Sequence, residues 1–145
     1  MVIRLASVQI GKFWDLIKYS LQQTERVGSD NNLQQFNEVF AALLSDRAQC
    51  FIKYNEGLDV LGIMVTEILE GKYSGEKMLK IRSLYAFKAF PPGEWDDDFK
   101  LIRELAQKEK CTKIIFETSN ARVMQLGKQV GFEEAFSTFE IPIGG

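Results

Sequence analysis

The first 45 residues combine one short apolar run with two stretches of helical periodicity. Residues 2–6 are apolar enough to form a first strand, and Gly11 is expected to end it. Trp14, Ile17 and Leu21 then recur at spacings of three and four residues, which predicts an amphipathic helix. A second apolar stripe predicts another helix, with positions Leu33, Phe36, Phe40, Leu43 and Leu44.

The middle of the chain carries three strand-like runs, at residues 49–54, 58–70 and 78–87. The second run is apolar on both faces, which predicts a central position in a sheet. The turn between the first two, Asn55-Glu56-Gly57, is typical of a hairpin. Alternation in the third run predicts one uninterrupted face, formed by Leu79, Ile81, Ser83, Tyr85 and Phe87, with Met78, Lys80, Arg82, Leu84 and Ala86 on the other.

The last third of the chain predicts a long helix, a buried strand, a short helix and a final strand. The apolar positions of the long helix are Trp95, Phe99, Ile102 and Ala106. Residues 113–118 form a near-continuous apolar run, which predicts a strand parallel to its neighbour. Ser119 or Asn120 caps the short helix, Gly131 ends it, and residues 136–141 supply the final strand.

The predicted order of elements is β-α-α-β-β-β-α-β-α-β. Runs of antiparallel strands with one helical crossover predict an α/β protein whose mixed central sheet is flanked by helices on both faces. The chain shows no internal repeat and no linker, and 145 residues suit one core. We therefore expect residues 1–145 to form a single domain.

Composition excludes several functional classes. A net charge of −2 opposes a nucleic-acid-binding module, which carries a basic excess. No apolar run approaches the roughly 18 residues that cross a bilayer, and the N-terminus is too polar for a secretory signal. We therefore expect a cytoplasmic protein without nucleic-acid or membrane partners.

The reactive side chains available to the chain are few. Cys50 and Cys111 are isolated, so two idle thiols are expected rather than a metal, disulfide or redox site. The chain has no histidine, which excludes histidine-based nucleophile systems and zinc sites with a histidine ligand. We expect no bound metal. Any proton transfer near neutral pH must use carboxylates, tyrosine, lysine, cysteine, the amino terminus or water.

Residues 113–132 read K-I-I-F-E-T-S-N-A-R-V-M-Q-L-G-K-Q-V-G-F, a strand, a cap, a helix and a Gly-Phe stop. This segment resembles the strand–Asn–helix–Gly-Phe signature of the GNAT acyltransferase superfamily. The predicted order of elements is also similar to that of the superfamily over nearly the whole chain.

The resemblance implies a site for acetyl-CoA or another acyl-CoA where two neighbouring strands separate. The strand before the long helix would supply backbone contacts at Leu84 and Ala86. Gly93 matches the first glycine of the superfamily's pyrophosphate loop, [QR]-x-x-G-x-[GA], and Asn120 matches its helix-capping asparagine. The implied acceptor is a small molecule or peptide that bears an amine. A homodimer, formed through an edge strand or an exposed aromatic patch, is expected if the chain is instead a binding or assembly module.

Two parts of the chain depart from the superfamily's pattern. Phe90 stands where a Gln or Arg is usual, and Pro91 and Pro92 remove two N–H donors from the loop. Acidic residues follow at positions 94 and 96–98, and like charges about 4 Å apart repel by about 1–4 kcal/mol. Gly127 replaces a tyrosine that often protonates the CoA thiolate in the superfamily.

Candidates for catalysis are few. Glu67 is either a general base or an ion-paired side chain, and Tyr85 is either a catalytic hydroxyl or a packed core residue. Lys80 and Arg82 share a strand face, which is either solvated or able to hold an acidic ligand. The sequence thus favours an acyl-CoA-dependent N-acyltransferase. The alternative is a catalytically inactive GNAT-like binding or assembly module that has lost CoA binding.

Overall fold

The structure is a computed structural model that describes residues 2–24, 32–71, 74–87, 94–118, 121–135, 139 and 141–144. Its elements are β1 (Val2–Arg4), α1 (Ser7–Thr24), α2 (Asn32–Leu44), β2 (Ala48–Tyr54), β3 (Val60–Glu70), β4 (Lys77–Ala86), α3 (Glu94–Lys108), β5 (Lys113–Phe116) and α4 (Ala121–Gln129). This order confirms the predicted alternation of strands and helices through α4.

The five strands form one sheet in chain order, β1-β2-β3-β4-β5. The first three pairings are antiparallel, and β4 pairs with β5 in parallel. The parallel pair arises because α3 carries the chain back along the sheet before β5 begins. The mixed sheet predicted from the sequence is confirmed.

Helices cover both faces of the sheet. One apolar cluster joins α1 and α2 to the sheet through Ile17, Leu21, Phe36, Cys50, Ile63 and Val65. The other joins α3 to the opposite face through Phe51, Met64, Leu79, Ile81, Phe99 and Ile102. Each fully buried large side chain contributes about 1.5–3 kcal/mol, so the two clusters hold the helices against the sheet.

Gly11 does not end the first strand, which corrects the expectation from the sequence. β1 already ends at Arg4, and Gly11 lies inside α1. The backbone N–H of Ala6 donates to the side-chain oxygen of Gln9 at 2.8 Å, so the helix begins at Ser7. Gly11 has open space where a Cβ would lie, and its presence costs the helix about 1 kcal/mol relative to alanine.

The uninterrupted alternation predicted for β4 is also wrong. The register between β3 and β4 shifts where Val65 and Thr66 face Ser83 and Ile81, which leaves Arg82 as an extra residue in β4. Because a bulge changes which face the following side chains occupy, the two halves of β4 alternate differently. Ile81 packs in the α3 cluster, whereas Phe87 packs against the α1–α2 cluster.

The predicted final strand, residues 136–141, lies mostly outside the described residues. Its two described members, Phe139 and Ile141, are not in a strand and are highly exposed. The sheet of the described residues therefore ends at β5.

Candidate functional site

The parallel pairing of β4 and β5 stops in the middle of β4. It joins Met78–Ile81 to Lys113–Phe116 and goes no further. β4 continues to Ala86 and stays paired with β3 on its other side. Within the described part of the chain, residues 82–86 therefore have one edge with no strand beside it. We call this opening, between residues 82–86 and the chain that follows Phe116, the fork.

Arg82, the extra residue of the β4 bulge, lies where the fork begins. Its guanidinium contacts the Glu67 carboxylate at 3.3 Å, and Lys80 contacts Glu117 at 3.5 Å. Glu67 also faces Lys80 directly across β3 and β4. Two cations and two anions thus form a row at the base of the fork, and three of them are half-buried.

Glu67, one of the two catalytic candidates, is engaged in this row. Its partner Arg82 satisfies one carboxylate oxygen, and both side chains are slightly more than a quarter exposed. Solvent-exposed ion pairs contribute about 0–1 kcal/mol, and this pair keeps part of that exposure. The carboxylate is therefore ion-paired and still reachable.

Tyr85, the other catalytic candidate, lies near the end of β4 in a cluster of three aromatic rings with Tyr19 and Phe87. Its ring centroid lies 5.7 Å from that of Tyr19 on α1 and 5.1 Å from that of Phe87. A hydrogen bond with the Tyr19 side chain, followed by desolvation and the Tyr19 charge, raises the pKa of Tyr85 above its ordinary value. Tyr85 thus keeps its proton at neutral pH and is a weaker acid than an unperturbed tyrosine.

The structure does not bring Glu67 and Tyr85 together. Tyr85 faces Ile63 across the β3–β4 ladder, and Glu67 lies four residues further along β3. At about 3.3 Å per residue, the two positions are about 13 Å apart along the sheet. A single proton relay through both side chains is therefore excluded without intervening groups.

Ser83, which the sequence did not mark as functional, lies beside the bulge and is 3% exposed. Among the described residues, its hydroxyl is the buried side-chain oxygen that has no hydrogen-bond partner. It faces Val65, which is in the α1–α2 cluster, so it points toward that side of the sheet. The sequence does carry a signal for Ser83, because it is the one small hydroxyl residue among the alternating large side chains Leu79, Ile81, Tyr85 and Phe87.

The four residues expected to bind the cofactor divide into two pairs. Leu84 and Ala86 lie on the open edge of β4. The side chain of Leu84 lines a small cavity of about 20 Å³ beside Lys53 and Asp98, on the α3 face. Gly93 and Asn120 lie outside the described residues, as do Phe90, Pro91 and Pro92.

The start of α3 is less acidic than the sequence suggested. Asp98 forms a short ion pair with Lys53 of β2, and the two side chains are 14% and 8% exposed. One of the four acids expected to repel a phosphate is therefore neutralised by a buried cation. The pair also fixes the beginning of α3 to the sheet.

Gly127 is enclosed by aromatic rings. A Cβ at this position would lie 2.6 Å from Cζ of Phe116, the last residue of β5. The Phe116 ring is itself held by Phe132, with centroids 4.7 Å apart and planes nearly perpendicular. A tyrosine at position 127, as the resemblance implies for the superfamily, would not fit this packing. In this structure, Gly127 leaves no room for the tyrosine that the resemblance implies at position 127 unless the Phe116 ring moves.

A second opening lies away from the fork, between α3, β5 and the end of α4. It has a volume of about 310 Å³, and its lining includes Arg103, Gln107, Cys111, Lys113 and Phe132. Desolvation raises the pKa of the Cys111 thiol, so this cysteine is not activated as a nucleophile. Both cysteines are free thiols.

Within the described ranges, no group of three or more Cys, Asp or Glu residues is arranged to hold a metal ion. No helix of that part of the chain is long and apolar enough to cross a membrane.

Solved structures with a similar fold are numerous, and several of them are named as acetyltransferases. The aminoglycoside N-acetyltransferase AAC(6')-Iy in complex with CoA superposes with a TM-score of 0.68 and 14% identity, and each chain is covered completely. A predicted acetyltransferase from Clostridium acetobutylicum with acetyl-CoA gives 0.71 and 13% identity, over 99% of this chain and 96% of the other. A ribosomal-protein-alanine N-acetyltransferase from Brucella melitensis biovar Abortus 2308 gives 0.67 and 12%, over 99% of both chains.

Sequence comparisons add nothing to this. No protein-family model and no curated protein matches the chain. Identities between 12% and 14% with the three structures establish the fold alone. At the level of the fold, the resemblance to the GNAT superfamily is confirmed.

Proposed function

We propose, from the premise that this chain has the GNAT fold, that it is an acyl-CoA-dependent N-acyltransferase. The acyl group would come from acetyl-CoA or another acyl-CoA, and the acceptor would be an amine on a small molecule or peptide. The observation that carries the proposal is the fork, where β4 loses its β5 partner at Ile81 and presents an open edge.

An open strand edge suits the pantetheine arm of CoA for a general reason. Unpaired backbone N–H and C=O groups seek hydrogen-bond partners, and the arm contains peptide-like amides that can pair with them. Leu84 and Ala86 would supply these contacts through their backbone, so the binding does not depend on the identity of their side chains. This explains how a chain with an unusual phosphate loop could retain the site.

The chemistry is nucleophilic attack of an amine on the thioester carbonyl. The N–C bond forms, negative charge develops on the carbonyl oxygen, and the C–S bond then breaks to release CoA thiolate. Backbone N–H groups beside the Arg82 bulge would stabilise the oxyanion. The amine nitrogen must also lose a proton, which Glu67 or a water molecule beside it would accept.

The leaving thiolate also needs a proton if it is to leave as a thiol. Gly127 cannot supply it, since glycine has no side-chain proton. Tyr85 is protonated at neutral pH, as a tyrosine with an ordinary pKa also is, and its raised pKa makes it a weaker acid. It is the tyrosine on β4 above the fork, and we assign it the role of proton donor together with solvent.

The acceptor would approach from the α1–α2 face of the sheet. Glu67 of the charge row lies on that face, because its partner across the ladder, Ala48 of β2, belongs to the α1–α2 cluster. A cationic amine would compete with Arg82 for the Glu67 carboxylate, whose side chain is 28% exposed.

Calorimetric titration of the purified protein with acetyl-CoA, desulfo-CoA and free pantetheine tests the proposal. Micromolar binding of acetyl-CoA, with weaker binding of pantetheine, is the expected result, and it would direct a screen of amine acceptors. No heat with any of the three at millimolar concentration would refute it.

A second candidate function is a GNAT-like binding or assembly module that has lost CoA binding. The packing of Phe116 against Gly127 favours it, because this packing fills the space of the superfamily's proton donor. Absence of binding in the titration would support this candidate. Acetyl transfer to any amine, abolished by a substitution in the fork, would exclude it.

A further inference from the structure

We propose that Ser83 is a catalytic residue whose hydroxyl donates a hydrogen bond to the carbonyl oxygen of the acyl group bound in the fork. This inference rests on the proposed acyltransferase function and adds a side-chain contact to it. It is carried by the unpaired, buried hydroxyl, by its position at the bulge and by the apolar character of its surroundings.

The unpaired hydroxyl is the first observation. Ser83 is 3% exposed, and its oxygen has no hydrogen-bond partner within the described residues. Buried polar groups in native proteins are nearly always paired, because an unpaired one loses its bonds to water and gains nothing in return. Ser20, another fully buried serine, follows this rule by donating to the carbonyl of Ile17 at 2.8 Å. The buried, unpaired hydroxyl of Ser83 is therefore an exception to this rule, and a ligand atom could be its missing partner.

Position is the second observation. The last pair of the β4–β5 ladder is Ile81 with Phe116, so Ser83 is the second residue beyond the point where the strands separate. It also follows the extra residue Arg82 directly. An acyl group held at the open edge of β4 would lie next to it. Bulges commonly redirect a side chain beside an active site.

The surroundings of Ser83 indicate the chemistry of its partner. Its neighbour across the ladder, Val65, is completely buried in the α1–α2 cluster. A charged partner would be poorly solvated there, whereas a neutral carbonyl oxygen can accept from a hydroxyl in an apolar site. The hydrogen bond would strengthen as negative charge develops on that oxygen during attack by the amine.

A buried water is the competing occupant. A water bonded to Ser83 would make the hydroxyl part of the structural network, and its removal would then weaken folding without affecting ligand choice. If a buried water is the partner, Ser83→Ala lowers stability and leaves the preference for acetyl-CoA unchanged. If the acyl carbonyl is the partner, Ser83→Ala does not lower stability and weakens that preference.

The experiment compares wild type, Ser83→Ala and the control Ser20→Ala by thermal unfolding and by calorimetric titration with acetyl-CoA and CoA. For Ser83→Ala we expect an unchanged or higher melting temperature, unchanged CoA affinity, and a roughly fivefold loss in the preference for acetyl-CoA over CoA. For Ser20→Ala, which loses a formed hydrogen bond, we expect a lower melting temperature and an unchanged preference.

Each other outcome overturns the inference in an identifiable way. If wild type binds acetyl-CoA and Ser83→Ala keeps the same preference, the inference fails and the proposed function stands. If Ser83→Ala is less stable or does not fold, the hydroxyl has a structural partner and is not reserved for a ligand. If wild type binds neither compound, the proposed function fails and the inference fails with it.

Discussion

Gly127 and Phe116 are in contact so close that a side chain added at position 127 would force the Phe116 ring to move. A Cβ on Gly127 would lie 2.6 Å from Cζ and 3.1 Å from Cε1 of the Phe116 ring. The ring has little freedom to move away, since Phe132 packs against it edge-on. Gly127 therefore allows α4 to pack closely against Phe116 at the end of β5.

This contact predicts that Gly127→Ala destabilises the protein although alanine favours helices. Overpacking a filled core costs about 1–3 kcal/mol, and the gain in helix propensity is about 1 kcal/mol, so we expect a net loss of about 1 kcal/mol. Urea unfolding measures it. Gly11→Ala in α1 is the matched control, because open space surrounds that position, and it should stabilise the protein by about 1 kcal/mol.

The double variant Gly127→Ala with Phe116→Leu separates the two causes. A shorter side chain at position 116 relieves the clash, so the alanine should cost less in this background than in wild type. An equal cost in both backgrounds would show that Phe116 is not the neighbour that excludes a side chain.

Lys53 and Asp98 supply a second prediction. Both side chains are nearly buried, so removing Lys53 takes away the cation that neutralises the Asp98 carboxylate. We expect Lys53→Met to lower the free energy of unfolding by about 3–5 kcal/mol. Adding Asp98→Leu should restore much of the loss, because no buried charge then remains. A double variant as unstable as Lys53→Met would contradict this account.

The course of the chain was predictable because its periodicities are strong and local. Ile17 and Leu21 predict a helix, and the apolar run at residues 113–118 predicts a parallel strand, which the structure has at Lys113–Phe116. The burial expected for that strand is wrong, because Lys113 is exposed and the other three residues are only partly buried. The fork could be expected only through the resemblance to a family, since no pattern within β4 or β5 states where their pairing ends.

The remaining errors have physical causes that lie beyond local sequence. The bulge at Arg82 is set by the register of β3 against β4, so alternation within β4 could not reveal it. The neutralisation of Asp98 depends on Lys53, which is 45 residues away in the chain. The unpaired hydroxyl of Ser83 is defined by the absence of neighbours within the described residues, which only a folded chain can show.

Tyr19 and Tyr85 give a prediction about alkaline pH. The pKa of Tyr85 is raised in the folded protein, so the unfolded chain loses the Tyr85 proton at a lower pH than the folded protein does. The contribution of Tyr85 to the free energy of unfolding is therefore complete below the ordinary tyrosine pKa near 10, and it is lost as the pH rises through the pKa of the folded state. Tyr19→Phe should move the ionisation of Tyr85 to lower pH, as followed by tyrosinate absorbance with Tyr85→Phe as the reference. An unchanged titration would mean that the two hydroxyls do not interact.

The two cysteines should react very differently with a thiol reagent. Burial raises the pKa of Cys50 to about 12, so at pH 8 its thiolate fraction is on the order of one in ten thousand, and its side chain is fully covered. Cys111 is half-buried and lines the second opening, so it should react slowly. We expect one reactive thiol in the native protein and two in denaturant, with Cys111→Ser abolishing the native reaction. Fast modification of both thiols in the folded protein would show that the α1–α2 cluster opens readily around Cys50.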